Sequence, residues 1–440
     1  MNTKKNRTLV IALTFSALCS LLMLVLYLLP NEELSFANRV QDYVVHNQAL
    51  FGIADSGVFN ALHVKTIDFE SENSDLRLVK IDDDSLAEPS QGGLGQFPWP
   101  RATHGQLVER LKRFGAKVVA FDIEFLENSA HGPADDAVFA QAMHTVPTVL
   151  SYQMSNNAAE IQVAPDLKAA ARRTGFVSVD TPGGWLLYQY LTATVDAGGG
   201  KIDRRTSMAA AAVEEFTGKK FYDRVIGNDG SEPVYDPWHE TFGTENVPLD
   251  GERHFLMLPF QPQEYTEQHG RSGATDVGLS FAQTMSYSTA MTADDATMRA
   301  FANGKLVVVG PTAGGLGDFI VTPLGRFPGV YANLRFMDQL LTGKFISRVP
   351  IQIDIFLIIS LPLLIGFMMT RLPAGWGIAA TLGAMLAFSF ICILLYATRL
   401  EWLDLVHIDG GMILSALFVS LYRVVTEGAD KRVIRDLFGK

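Results

Sequence analysis

The sequence predicts an α/β domain with a doubly wound, mainly parallel sheet, held outside a membrane by four transmembrane α-helices. Three observations lead there. Apolar runs of membrane length lie at the N-terminus and, three in succession, near the C-terminus. A water-soluble stretch separates them, and within it short Val/Ile/Leu runs alternate with amphipathic helical segments.

The first run, Leu9 to Leu29, contains no charged residue and follows the basic Lys4, Lys5 and Arg7. About 20 apolar residues cross a bilayer as a helix, and flanking positive charge keeps that end in the cytoplasm. A cleaved signal peptide would have a shorter apolar core ending in small residues. This run instead ends Tyr27-Leu-Leu-Pro30, so it reads as an uncleaved anchor. The later runs give the same topology, because Arg371 lies in the loop assigned to the inside, whereas the loop assigned to the outside carries Glu401 and Asp404 beside a single Arg399. The expected layout is a cytoplasmic segment 1–7, spans at 8–30, 351–370, 376–397 and 405–422, an external domain at 31–350 and a cytoplasmic linker at 423–440. Pro362 is expected to kink the second span. Asp354 and Asp409, near the outer ends of their spans, read as wetted acids, and the lack of a deeper acid argues against a transporter.

Composition narrows the function classes. A formal net charge of −11 gives the external domain no reason to prefer nucleic acid or anionic lipid. Cys19 and Cys392 both fall within spans, so the external domain has no disulfide and no thiol chemistry.

Inside that domain, Leu76–Ile81, Lys117–Phe125, Thr145–Tyr152 and Lys305–Gly310 read as strands, near-continuous in apolar residues as buried parallel strands are. Gly105–Phe114 and Asp136–Met143 read as intervening helices, and this βαβαβ order implies the doubly wound core. Between Asn156 and Thr289 the signals thin out. Ser207–Phe216 reads as a helix, Trp185–Thr194 as a strand, and glycine clusters at 198–200, 228–230 and 270–273 as turns. Residues 37–51 are expected to form a helical stalk.

Ligands of open α/β sheets bind outside the carboxyl ends of the strands. There the sequence places Asp82, Asp83 and Asp84 after the first strand, Asp122 and Glu124 at the end of the second, and the glycine-rich loop Gly310–Asp318 after the last. Together they form an acidic rim suited to a cation or an amine-bearing ligand. Taken singly, each acid also reads as a helix cap or turn residue. Trp99 and Arg101, set between prolines, are either ligand contacts or packing and capping residues. The glycine loop fits neither dinucleotide nor P-loop spacing, no nucleophile elbow is present, and the external histidines show no metal-ligand spacing. No catalytic residue, metal or cofactor is therefore assigned, and the site residues are Asp82, Asp83, Asp84, Trp99, Arg101, Asp122 and Asp318.

Several stretches carry a family resemblance. Val79-Lys-Ile-Asp-Asp-Asp-Ser-Leu86, Phe97-Pro-Trp-Pro-Arg101, and Gly115 through Phe125 resemble the opening of the second type of CHASE domain, the cyclase- and histidine-kinase-associated sensory extracellular domain. Gly304 to Asp318, Thr322 to Asn333 and Leu340 to Phe345 resemble its closing half, and three spans after the domain are typical of the family. The chain departs from the family pattern near Tyr331, where a Glu and a His usually stand. The tail from Thr426 resembles the linker leading into a class III adenylate or guanylate cyclase domain. That resemblance implies a receptor of the bacterial inner membrane, either truncated before its output domain or naturally short, working as a homodimer and binding an external ligand of unknown identity. ATP and a divalent metal would belong to the cyclase domain alone. Val425, Ala429, Val433 and Leu437 recur every four residues in that tail, an apolar stripe that can pair with its copy. A kinase output and a membrane-anchored external hydrolase are the alternatives.

Overall fold

The computed structural model describes residues 2–28, 58–67, 72–154, 160–161, 163–177, 188–196, 202–228, 233–249, 254–256, 262–263, 278–279, 281–322 and 325–428. The expected stalk at 37–51, the glycine turns at 198–200 and 270–273, and the tail stripe beyond residue 428 lie outside these. The chain divides into two units, Met1–Ile67 with Ser347–Lys440, and Asp68–Ile346.

The second unit holds a mixed α/β fold. Its elements run β1 (Leu76–Ile81), α1 (Arg101–Arg113), β2 (Val118–Glu124), α2 (Pro133–Met143), β3 (Thr148–Met154), α3 (Pro165–Ala170), β4 (Arg173–Phe176), α4 (Met208–Thr217), β5 (Gln283–Ser286), α5 (Tyr287–Thr292), α6 (Asp295–Ala302), β6 (Leu306–Pro311) and α7 (Gly329–Thr342). The strands pair in parallel in the order β5-β1-β6-β2-β3-β4, and the two-residue strand Glu160–Ile161 adds antiparallel to β3.

Every central strand is buried on both faces, which explains its near-continuous apolar sequence. Leu76, Leu78, Val118, Ala120, Leu306 and Val308 face a layer built by α4 and α7. Val79, Ile81, Val119, Phe121, Val307 and Val309 face the opposite layer, built by α1, α2, α3, α5 and α6. That alternation is the period-2 signature of a strand.

Helices begin earlier than the apolar periodicity predicts. α1 starts at Arg101 and α2 at Pro133, because prolines pre-set the first turns. Asp135 on α2 then accepts the free amides of Arg101 (2.6 Å) and Ala102 (2.8 Å), capping α1 from outside. α4 is capped by Ser207, whose oxygen accepts from the Ala210 amide, and stops at Gly218, φ 76°. The region expected as one strand at Trp185–Thr194 contains two short ones, Tyr188–Tyr190 and Thr192–Asp196.

Among the described residues of the first unit, four helices are long and apolar enough to cross a membrane, with membrane-length segments at Asn6–Leu28, Ile351–Arg371, Gly375–Arg399 and Leu405–Thr426. Hydroxyls and missing side chains bring the first, second and fourth together. Ser16 bonds Ser415 at 2.6 Å, Ser415 donates to the Pro362 carbonyl at 2.8 Å, and Ser20 donates to the Ile359 carbonyl at 3.2 Å. A Cβ added at Gly366 would stand 1.9 Å from Ser16 Oγ, so only glycine fits that approach. The second helix runs through Pro362 without interruption from Ile351 to Arg371.

Asp354 is not the wetted acid expected from its position. It is 3% exposed, accepting from the Tyr27 hydroxyl (2.9 Å) and the Asp404 amide (3.2 Å). His407 Nδ1 lies 2.7 Å from Asp404 Oδ2, extending the network to the fourth helix. Ser347–Arg348 pairs with Glu401–Trp402, tying the link that enters the second helix to the loop between the third and fourth.

Candidate functional site

The strand order fixes where a site can form. β1 and β2 are followed by helices in one layer, whereas β6, lying between them, is followed by α7 in the other. The chain therefore leaves adjacent strand ends in opposite directions, and such a switch point opens a crevice. Asp82 and Asp122 stand at those ends, and Asp318 in the loop that follows β6.

Asp82 is 6% exposed and caps the one-turn helix Asp83–Leu86. Its Oδ1 accepts from the Ser85 amide (3.0 Å), the Ser85 hydroxyl (2.6 Å) and the Ser286 hydroxyl (2.7 Å). Its Oδ2 lies 3.7 Å from the buried ammonium of Lys80. Asp82 therefore joins the ends of β1 and β5. Asp83 and Asp84 are exposed on the same turn. Partial desolvation, with Asp82 and Asp84 as like-charged neighbours, raises Asp83 above the ordinary carboxylate range.

Asp122 is the most perturbed member. It is 8% exposed and accepts one hydrogen bond from Asn333 Nδ2 at 2.9 Å. Burial raises its pKa to about 7, and the negative charges of Asp318 and Glu124 add to the rise against the hydrogen bond from Asn333. Asp318 remains open to solvent on the rim, and it too is raised, first by the protein at its back and then by Glu124.

α7 closes this group from the second layer. Gly310 of β6 pairs with Lys80 of β1, and its other flank faces Asp122 of β2. With no side chain at Gly310, Val330 can approach: an added Cβ would meet Val330 Cγ2 at 2.6 Å and Asp122 Cβ at 3.2 Å. An added Cβ at Gly329 would meet Asp318 Oδ1 at 2.6 Å. Tyr331 is fully buried, and burial together with Asp82 holds its phenol above the ordinary range. The first turns of α7 thus meet Asp122 and Asp318 directly, and Asp82 acts on Tyr331 through its charge.

A model of the CHASE2 domain matches residues 21–368. The chain belongs to the CHASE2 family. Comparisons with curated proteins and with solved structures gave no match.

In this CHASE2 domain, Trp99 and Arg101 lie apart from the carboxylate group in role. Trp99 is 4% exposed, packs on Tyr287 (4.7 Å between centroids) and donates its indole N–H to the Gly95 carbonyl at 2.9 Å. Its neighbour His104 is fully buried among Phe121, Phe125 and Phe139, with Nδ1 3.1 Å from the Tyr287 hydroxyl. Desolvation drives that imidazole down to about 3, so it stays neutral. Arg101 stacks over Phe125 at 4.4 Å, with Nε 3.7 Å from Asp136. Trp99 is packed into the core, and Arg101 lies against Phe125 at the first residue of α1, whose amide Asp135 caps.

Sequence reasoning placed Gly310 in the loop wall of the rim but missed Asn333 and Tyr331 as members of the group. The signal for Asn333 was available: an Asn inside an apolar helix face. Among the described residues, no three His, Cys, Asp or Glu side chains converge on a metal position.

Proposed function

We propose that this chain is the sensing and anchoring part of a receptor whose output is a cytoplasmic class III nucleotide cyclase. The CHASE2 domain is a sensor domain, and the chain carries it on four membrane-length apolar helices. One observation supports a signalling role above the rest: α7 meets Asp122 and Asp318 with its first turns, and the chain leaving it at Gly343 enters the second span at Ile351. A ligand on the rim of Asp82, Asp83, Asp84, Asp122 and Asp318 would bias that helix, provided it binds two arrangements with different affinity. The acidic rim favours a cationic or amine-bearing ligand. The basic N-terminus and the Arg371 loop support cytoplasmic termini in a bacterial inner membrane. A homodimer follows from the cyclase reading, because class III active sites form between two catalytic domains.

The test compares cyclase activity in membranes carrying the complete reading frame of the gene with membranes carrying residues 1–440. Activity in the complete protein alone fits the proposal. An intact, dimeric complete protein without cyclase activity overturns the output assignment, and substrate turnover by the 440-residue chain overturns the receptor reading.

A further inference from the structure

We infer that the buried Asp122 carboxyl is a proton-operated latch: with Asp122 protonated α7 is held on the sheet, and when Asp122 ionises the first turns of α7 are released. The inference rests on the receptor reading and names the proton as an effector of that site.

The latch stands on how the carboxyl is placed. Asp122 projects from β2 toward the α7 layer, walled by Val330 above Gly310 and bonded to Asn333 at 2.9 Å. The titratable and charged groups around it come from each element packed there. Glu124 lies on its own strand and Asp318 in the loop after β6. Tyr331 on α7 faces Asp82, and Lys80 on β1 lies 3.7 Å from Asp82. Asp122 therefore meets an amide donor and two like charges. A carboxylate so placed costs free energy through its burial and the repulsion of Asp318, and the Asn333 donor offsets only part of that cost. The position of its titration, about 7, lies where external pH varies.

Asp318 makes the response mechanical. Its carboxylate rests against Gly329, the first residue of α7, one turn from Asn333. When Asp122 loses its proton to solvent, the new charge repels Asp318 across the start of this helix. Asp318 is already open to solvent, so it is hydration of the buried Asp122 carboxylate that requires the Gly329–Asn333 turn to lift. At the other end α7 stops at Gly343, φ 68°, and the chain enters the second span at Ile351. A displacement of α7 thus reaches the membrane through a short link.

Hydrogen exchange of the full chain in nanodiscs, followed from pH 5.5 to 8.5 and corrected for intrinsic exchange, reads the latch directly. Protection of 329–336 is expected to fall by at least about tenfold as pH passes 7, the change that one unit of proton linkage produces. Asp122→Asn should keep the segment protected at every pH. Asp318→Asn should retain the transition and move it to lower pH, because one repelling charge is gone. A wild type without a transition, a transition that survives in Asp122→Asn, or a midpoint in Asp318→Asn that stays or rises would each overturn the latch. The readout belongs to this chain alone, so a missing cyclase leaves the result standing, and a failed latch leaves the receptor reading intact.

Discussion

Replacing Asp122 with Asn should stabilise the protein at alkaline pH, although it alters a buried polar residue beside a hydrogen bond. The native carboxyl titrates at about 7 against a reference value of 3.8, a difference of about three pH units. At about 1.4 kcal/mol per unit, ionised Asp122 costs the native state about 4 kcal/mol above pH 7, and relaxation around the charge brings the recoverable part to about 2–4 kcal/mol. The native protein holds this proton between about pH 4 and 7 while the unfolded chain has released it. The stabilising contribution is therefore full below about pH 4, declines as pH rises, and is lost above about 7. Asn keeps the shape and can still accept from Asn333, so it removes the penalty and little else. Urea unfolding of the full-length protein in nanodiscs at pH 5, 6, 7 and 8 checks this. The variant should gain on the wild type progressively with pH, and the difference should shrink toward acid. A constant difference across the series, or a variant less stable at pH 8, would refute the assignment of Asp122 as an uncompensated buried acid.

Asp135→Ala should cost about 1–2 kcal/mol, because α1 loses its cap on the Arg101 and Ala102 amides, and Asp135→Asn should restore part of it. Burial works to raise Asp135, but hydrogen bonds from Ser129 and those two amides outweigh it and leave its pKa lowered, so this stabilisation fades as pH falls through the acid range. Trp99→Ala should cost about 3–5 kcal/mol in the same unfolding assay by emptying the aromatic core around Tyr287 and His104. Gly366→Val should destabilise the membrane unit by about 1–3 kcal/mol, read as a lower thermal midpoint in nanodiscs, while Gly383→Val, where a Cβ meets nothing within 4 Å, should not.

How much of this was legible in the sequence depended on what each residue had to do. The strands β1, β2 and β6 were readable because both of their faces are buried, so continuous Val, Ile and Leu leaves little other reading. The start of α4 was legible in its Ser207 cap, but that of α1 was not, since its cap comes from Asp135, 34 residues away in the chain, and no local pattern announces it. Asp82 was singled out by its place after a strand, and in the structure it caps the turn that follows, with three hydrogen bonds on one carboxylate oxygen. Trp99 kept two readings because an indole between prolines looks the same whether it covers a ligand or fills a core. Asn333 escaped because its partner lies on another strand, and only the packing of α7 across Gly310 brings the two together. Asp354 looked wetted because sequence gives depth along a span but not which neighbours surround it.

The position of β6 has a consequence for how the chain is made. Leu306–Val309 pairs with β1 on one side and β2 on the other, so the last strand of the sheet by chain order occupies its centre. Until it emerges, β1 and β2 can only leave two apolar edges unpaired or join each other out of place, and unpaired edges invite association between chains. The sheet must therefore wait for almost the whole domain, with its most non-local contacts forming last and slowest. A chain arrested before Leu306 should be a substrate for chaperones and proteases rather than a smaller folded domain.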